Sequence, residues 1–113
     1  MQHEDIDIPA AMRGRADTFA LRVKGSSMRD EGILSGDVIV VHRQSTAENG
    51  QTVVALIDGE ATVKKYYRRR ERIELHPANE AMTPIVVEPG QDFRIEGIVT
   101  GVIRYCGRAA LES

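Results

Sequence analysis

The chain has no tryptophan, three tyrosines and two phenylalanines, so aromatics make up only 4% of its 113 residues. Its core must therefore be built mainly from Val, Ile, Leu and Ala, and the β-branched members of that set favour pleated sheets. A single cysteine, Cys106, excludes an internal disulfide and a cysteine metal cluster. That scarcity fits a reducing cytoplasm, with Cys106 as a passive small hydrophobe. Long apolar runs are missing too, since "VIVV" and "TVVALI" are far too short to cross a bilayer. The start, "MQHEDIDIPAAMRGRADTF", is acidic and lacks the apolar stretch of a secretory signal. There is no excess of positive charge: the formal net charge of −2 argues against a dedicated nucleic-acid-binding surface. His42 and His76 lie far from any second ligand pattern, so no metal or other cofactor is expected.

What remains is the composition of one ordinary globular domain, 42% hydrophobic and 28% charged, long enough for a single core. Residues 1–17 read as a polar arm, 18–106 as the folded domain and 107–113 as a tail. "TFALRVKG" alternates, with Phe19, Leu21 and Val23 on one face. "DVIVVHRQ", "TVVALID", "ATVKKYYRR", "RIELHPA", "PIVVEP" and "DFRIEGIVTGVIRYC" supply further strands, punctuated by an Asn-Gly turn in "ENGQ" and a tight turn in "DGE". The pattern predicts a mainly β fold, a small mixed or antiparallel domain of about seven strands with at most one short helical turn after Ser27. "RRRER" (68–72) reads as a solvated hairpin tip and "HEDID" (3–7) as a solvated stretch of the arm. The long last strand should be either buried or paired with a second copy.

Within "KGSSMRDEGILSGDVIVV" (24–41), two adjacent serines follow a glycine. Ser27 with Asp30 three residues on has the form of an acidic capping box, which makes Ser27 the N-cap of a short helix. The other reading is a nucleophile, and a serine hydroxyl is weak unless a base takes its proton. His3 lies in the arm, and His42 and His76 fall in strands without a Gly-x-Ser-x-Gly context, so a Ser-His-Asp triad has thin support. Lysine is the other base for serine, but an ordinary lysine is neutral only about once in 2,500 at pH 7. A lysine base must be desolvated, which points to one embedded in an apolar strand. In "EATVKKYY", Thr62, Lys64 and Tyr66 share one face, and Val63, Lys65 and Tyr67 share the other. Only one of the two lysines can point inward, and periodicity leaves the choice open. A solvated, snorkelling strand lysine is the plain alternative for both.

Four blocks in order, "LRVKGSSMRDEGILSGDVIVVHR", "NGQTVVALIDGEATVKKYY", "ELHPANEAMTPIVV" and "FRIEGIVTGVIR", closely resemble the C-terminal self-cleaving domain of LexA repressors. They are more weakly similar to UmuD polymerase accessory proteins and to phage repressors of the same serine peptidase family. The resemblance runs from about Phe19 to Arg104. It implies Ser27, directly before Met28, as nucleophile, and Lys64 as general base, with Lys65 as the outward neighbour. It also implies backbone oxyanion donors around Ser26 and Ser27, with Thr62 and Met28 in support. Ser26 stands where LexA proteins often carry methionine.

The same resemblance implies a latent serine peptidase that cleaves its own repressor when a RecA–single-stranded DNA filament stimulates it. It further implies a homodimer of an SOS-response repressor, with no membrane partner. Operator DNA would be bound through a winged helix-turn-helix, of which these residues carry no likeness, and the residues before Ser27 hold no Ala-Gly scissile pair. The expectation is a C-terminal fragment lacking both. The alternatives are a UmuD′-like accessory protein of a translesion polymerase, or a non-catalytic β-domain that only dimerises, with Ser27 a cap and Lys64 solvated.

Overall fold

The computed structural model describes residues 17–105 and the backbone of residues 2–4. Most of the expected arm, Cys106 and the tail lie outside the described residues. The described strands are β1 (Gln2–Glu4), β2 (Thr18–Arg22), β3 (Val38–Arg43), β4 (Thr52–Ile57), β5 (Glu60–Arg69), β6 (Arg72–His76), β7 (Ile85–Val86) and β8 (Phe93–Ile103). They form one sheet in the order β1-β2-β3-β8-β4-β5-β6-β7, each neighbouring pair antiparallel. All seven expected strands are present. The eighth, β1, falls within the polar arm and pairs with β2 through Gln2↔Arg22 to Glu4↔Ala20.

Local sequence explains the hairpins. Asp58 and Gly59 join β4 to β5 with φ of +49° and +85°, the paired left-handed conformation of a two-residue turn that suits twisted strands. "RRRER" does form the β5–β6 tip, with Arg70 at φ +60°. The Asn-Gly turn is also present, but β3 and β4 are not partners, because β8 lies between them. Asn49 instead bonds across to β5: its Oδ1 accepts from Arg68 N at 2.7 Å and its Nδ2 donates to Arg68 O at 3.2 Å.

The long last strand lies inside the sheet, its Gly97–Ile103 half paired with β3 and its Phe93–Ile98 half with β4. Only Gly97 and Ile98, the two buried residues of β8, therefore have partners on both edges. The ladder shifts register between Val40 and Val41 and again between Val54 and Ala55. Such bulges bend a sheet. At Gly97, between these shifts, an added Cβ would lie 2.4 Å from His42 O, so only glycine admits this approach.

Period-2 alternation sends neighbours to opposite faces. Val54 joins Leu21, Val23, Met28, Ile33, Ile39, Val41 and Val63 in one cluster, while Val53 joins Ala55, Tyr66, Leu75 and Ile98 in another. Burying each large aliphatic side chain contributes roughly 1.5–3 kcal/mol. The first cluster matters most for the site, because Met28 and Val63 sit beside Ser27 and Lys64 in the chain. Asp37, buried just before β3, accepts from Arg104 Nε at 2.8 Å, Arg104 Nη2 at 2.7 Å and Leu34 N at 2.8 Å. It thus ties the end of β8 to the start of β3. Among the described residues, no helix is long and apolar enough to cross a membrane.

Candidate active site

The segment after β2 turns at Gly25, whose φ of +94° strains any other residue. Met28, 2% exposed, then anchors the chain in the first core cluster. Between these two points Ser26 and Ser27 are held at the surface of the sheet. A single 3₁₀ turn, Arg29–Glu31, follows. Its N-cap is Met28 and no side chain caps it, so the capping-box reading of Ser27 is corrected. The physical reason is that Ser27 Oγ faces β5 instead: it donates to Val63 O at 3.4 Å and accepts from Lys64 Nζ at 3.2 Å.

The two lysines that periodicity could not separate have different surroundings. Lys64 is buried, and its Nζ also donates to Thr62 Oγ1 at 2.6 Å, as their shared face requires. Burial disfavours its ammonium form and holds its pKa below the ordinary lysine value. Lys65 is partly exposed and paired with Glu31, whose hydrogen bond raises its pKa. The 3₁₀ turn therefore keeps Lys65 charged and turned away from the serine.

This arrangement can switch its hydrogen bonding. While Nζ is an ammonium it only donates, and the Ser27 proton goes to Val63 O. Once neutral, Nζ offers a lone pair within reach of Oγ–H, the geometry of a general base and its nucleophile. The N–H groups of Ser26, Ser27 and Met28 have no acceptor among the described residues. The pair opens into a cleft of about 370 Å³ lined by Gly25, Thr62, Val63, Pro77, Met82 and Ile85, among others. A larger hollow of about 750 Å³ lies near Ala47, Tyr66 and Phe93, but it contains neither residue of the pair, so size alone is a poor guide to the chemistry here. Neither His42 nor His76 lines the cleft.

Ser26, Ser27, Met28, Thr62 and Lys64 are thus brought together. Sequence reasoning missed Asn79. It is 6% exposed, and its Nδ2 donates to Ser26 O at 2.8 Å. Around it, Ala78 N donates to Ser27 O at 2.7 Å, and Asp30 N to Ala78 O at 2.7 Å. The loop after β6 therefore clamps the serine loop from outside the sheet. An asparagine shortly after a proline in "HPAN" looks like ordinary turn chemistry, which is why it carried no signal.

A family model described as Peptidase S24-like matches residues 1–100. The chain is 59% identical over 100 residues to the LexA repressor of Syntrophotalea carbinolica, covering 88% of this chain and 50% of that protein. It is 51% identical over 108 residues to the LexA repressor of Syntrophobacter fumaroxidans, covering 96% and 52%. Against LexA repressor 1 of Geobacter sulfurreducens it is 50% identical over 91 residues, covering 80% and 45%. The chain spans about half the length of these curated relatives.

Proposed function

The chain belongs to the peptidase S24-like family, and from that premise we propose that it is the self-cleaving and dimerising half of a LexA-type SOS repressor, with Ser27 as nucleophile and Lys64 as general base. Residues 18–106 form this catalytic and assembly domain. Ser27 Oγ attacks a peptide carbonyl carbon while its proton passes to neutral Lys64 Nζ. The tetrahedral oxyanion is met by backbone N–H groups around Ser26 and Ser27. Lys64 returns the proton to the departing amine, leaving an acyl ester on Ser27. Water, deprotonated by Lys64, then releases the acid and restores the serine. Thr62 holds the base from its far side, and Met28 seats the loop.

The observation that carries this reading is the 3.2 Å approach of a buried Lys64 Nζ to Ser27 Oγ. In the whole repressor, a RecA filament on single-stranded DNA favours the cleavable arrangement. Operator binding is assigned to the half of such repressors that these residues do not cover, and the setting is the cytoplasm. The relatives named as LexA repressors favour this role over that of a polymerase accessory protein. The test is cleavage in trans of a longer polypeptide carrying the parent repressor's cleavage region. Cutting should be slow and faster as pH rises, absent in Ser27→Ala and Lys64→Ala, and retained in Ser26→Ala. Loss in Ser26→Ala with activity kept in Ser27→Ala overturns the assignment.

A further inference from the structure

Asn79 is a buried polar side chain that hydrogen-bonds neither Ser27 Oγ nor Lys64, and its side-chain bonds run instead to the carbonyl of Ser26, to Arg29 and to its own turn at Ala81. We infer that Asn79 is a positioning residue that aims the oxyanion donor of Ser27 by holding the opposite end of the same peptide group. The inference rests on the proposed role of Ser27.

A trans peptide unit is planar, with its C=O and N–H pointing in opposite directions. The carbonyl of Ser26 and the N–H of Ser27 belong to one such unit. Ser26 O accepts from Asn79 Nδ2 at 2.8 Å and from Arg29 N at 3.2 Å. With the carbonyl pinned, the Ser27 N–H must point the other way, and it has no acceptor among the described residues. The neighbouring unit is fixed in the same manner, since Ser27 O accepts from Ala78 N at 2.7 Å. Both peptide groups flanking the nucleophile are thus oriented by residues 78 and 79.

The orientation of the Asn79 amide follows from its partners. Oδ1 faces two groups that can only donate, Arg29 Nη2 at 3.2 Å and Ala81 N at 2.9 Å. Nδ2 faces a carbonyl that can only accept. The Arg29 guanidinium on Oδ1 polarises the amide and strengthens Nδ2–H as a donor. The chain of bonds therefore runs from a cation, through Asn79 and the Ser26–Ser27 peptide, to the N–H that meets the oxyanion.

A fluorophosphonate probe reads this without a known substrate: Ser27 Oγ attacks phosphorus, fluoride leaves and the proton goes to Lys64. Labelling rate is measured across pH for wild type, Asn79→Leu and Arg29→Met, with circular dichroism as the check on folding. Asn79→Leu removes the amide without adding charge. Its high-pH plateau should fall about 10- to 100-fold, the scale of a misplaced catalytic donor, with the midpoint of the pH profile unmoved. Arg29→Met, at an exposed position, keeps Asn79 and should lose several-fold with the same midpoint, which decides the matter if Asn79→Leu unfolds. Wild-type rates in both folded variants overturn the inference, as does a shifted midpoint, which would mean action through Lys64. Wild type that is not labelled at Ser27 removes the underlying reading as well, and so separates the two failures.

Discussion

Replacing Thr62 by valine tests how the sheet sets up its base. Thr62 Oγ1 accepts from Lys64 Nζ at 2.6 Å, a shorter contact than the 3.2 Å to Ser27 Oγ. Valine keeps the branched shape and suits β5, so the principal loss is one acceptor. A hydrogen bond to a charged group contributes about 1.5–3 kcal/mol, against about 0.5–1.5 for a neutral pair. The ammonium therefore loses about 1–1.5 kcal/mol more than the amine does, which is about one pKa unit. The direction is downward, the same as the effect of burial on Lys64. Fluorophosphonate labelling of Ser27, followed across pH, should show its midpoint move to lower pH by about one unit. The plateau should fall, because Nζ is no longer held from its far side. The two curves then converge at low pH, where more of the variant's lysine is neutral. Thr62→Ser should behave as wild type. An unmoved or raised midpoint in Thr62→Val would mean that the Thr62 hydroxyl does not stabilise the Lys64 ammonium.

Other consequences concern stability. Arg104's hydrogen bond, against an opposing cost of burial, holds the Asp37 carboxyl below its ordinary range. Its contribution is therefore complete above the unfolded value near 3.9 and is lost as pH falls through the folded value. Asp37→Asn should cost about 1–2 kcal/mol at pH 7, discounted because Arg104 is half exposed, and should flatten the acid limb of a melting-temperature profile. Some acid sensitivity persists through Glu74, whose pKa is lowered by His76 and then Arg72. Gly97→Ala should destabilise by about 3 kcal/mol, since its Cβ meets the His42 carbonyl and Val41 Cγ1. Denaturant unfolding measures this, and an unchanged midpoint contradicts the packing described.

How far the sequence could be read depended on the range of the interaction. Strands β2 to β8 announce themselves through alternation, β-branched runs and turn residues, all local signals. Strand β1 is three residues in a polar arm, stabilised by backbone pairing to β2 that no side-chain pattern records. The placement of β8 between β3 and β4 depends on contacts about sixty residues apart in the first case, such as Val40 with Gly101. Alternation says nothing about such distant partners.

The site shows the same division. Ser27 and Lys64 are 37 positions apart, and their meeting was legible only through resemblance. The burial of Lys64 and the Glu31 partner of Lys65 then distinguish lysines that look equivalent in "VKKYY". Capping was the natural local reading of Ser27. It failed because one 3₁₀ turn gains less from a cap than Oγ gains from Val63 O and Lys64 Nζ. Asn79 was invisible because its link to the serine loop is to the backbone carbonyl of Ser26, which carries no residue identity.

On the proposed mechanism Lys64 must be a desolvated amine able to take the Ser27 proton. Carbon-13 labelling of lysine Cε, with Lys64→Arg to identify the signal, follows its titration directly by NMR. Lys64 should titrate below the ordinary lysine value and Lys65 above it, with the Lys64 midpoint matching the pH dependence of Ser27 labelling. A Lys64 midpoint at or above about 10.4 contradicts that mechanism.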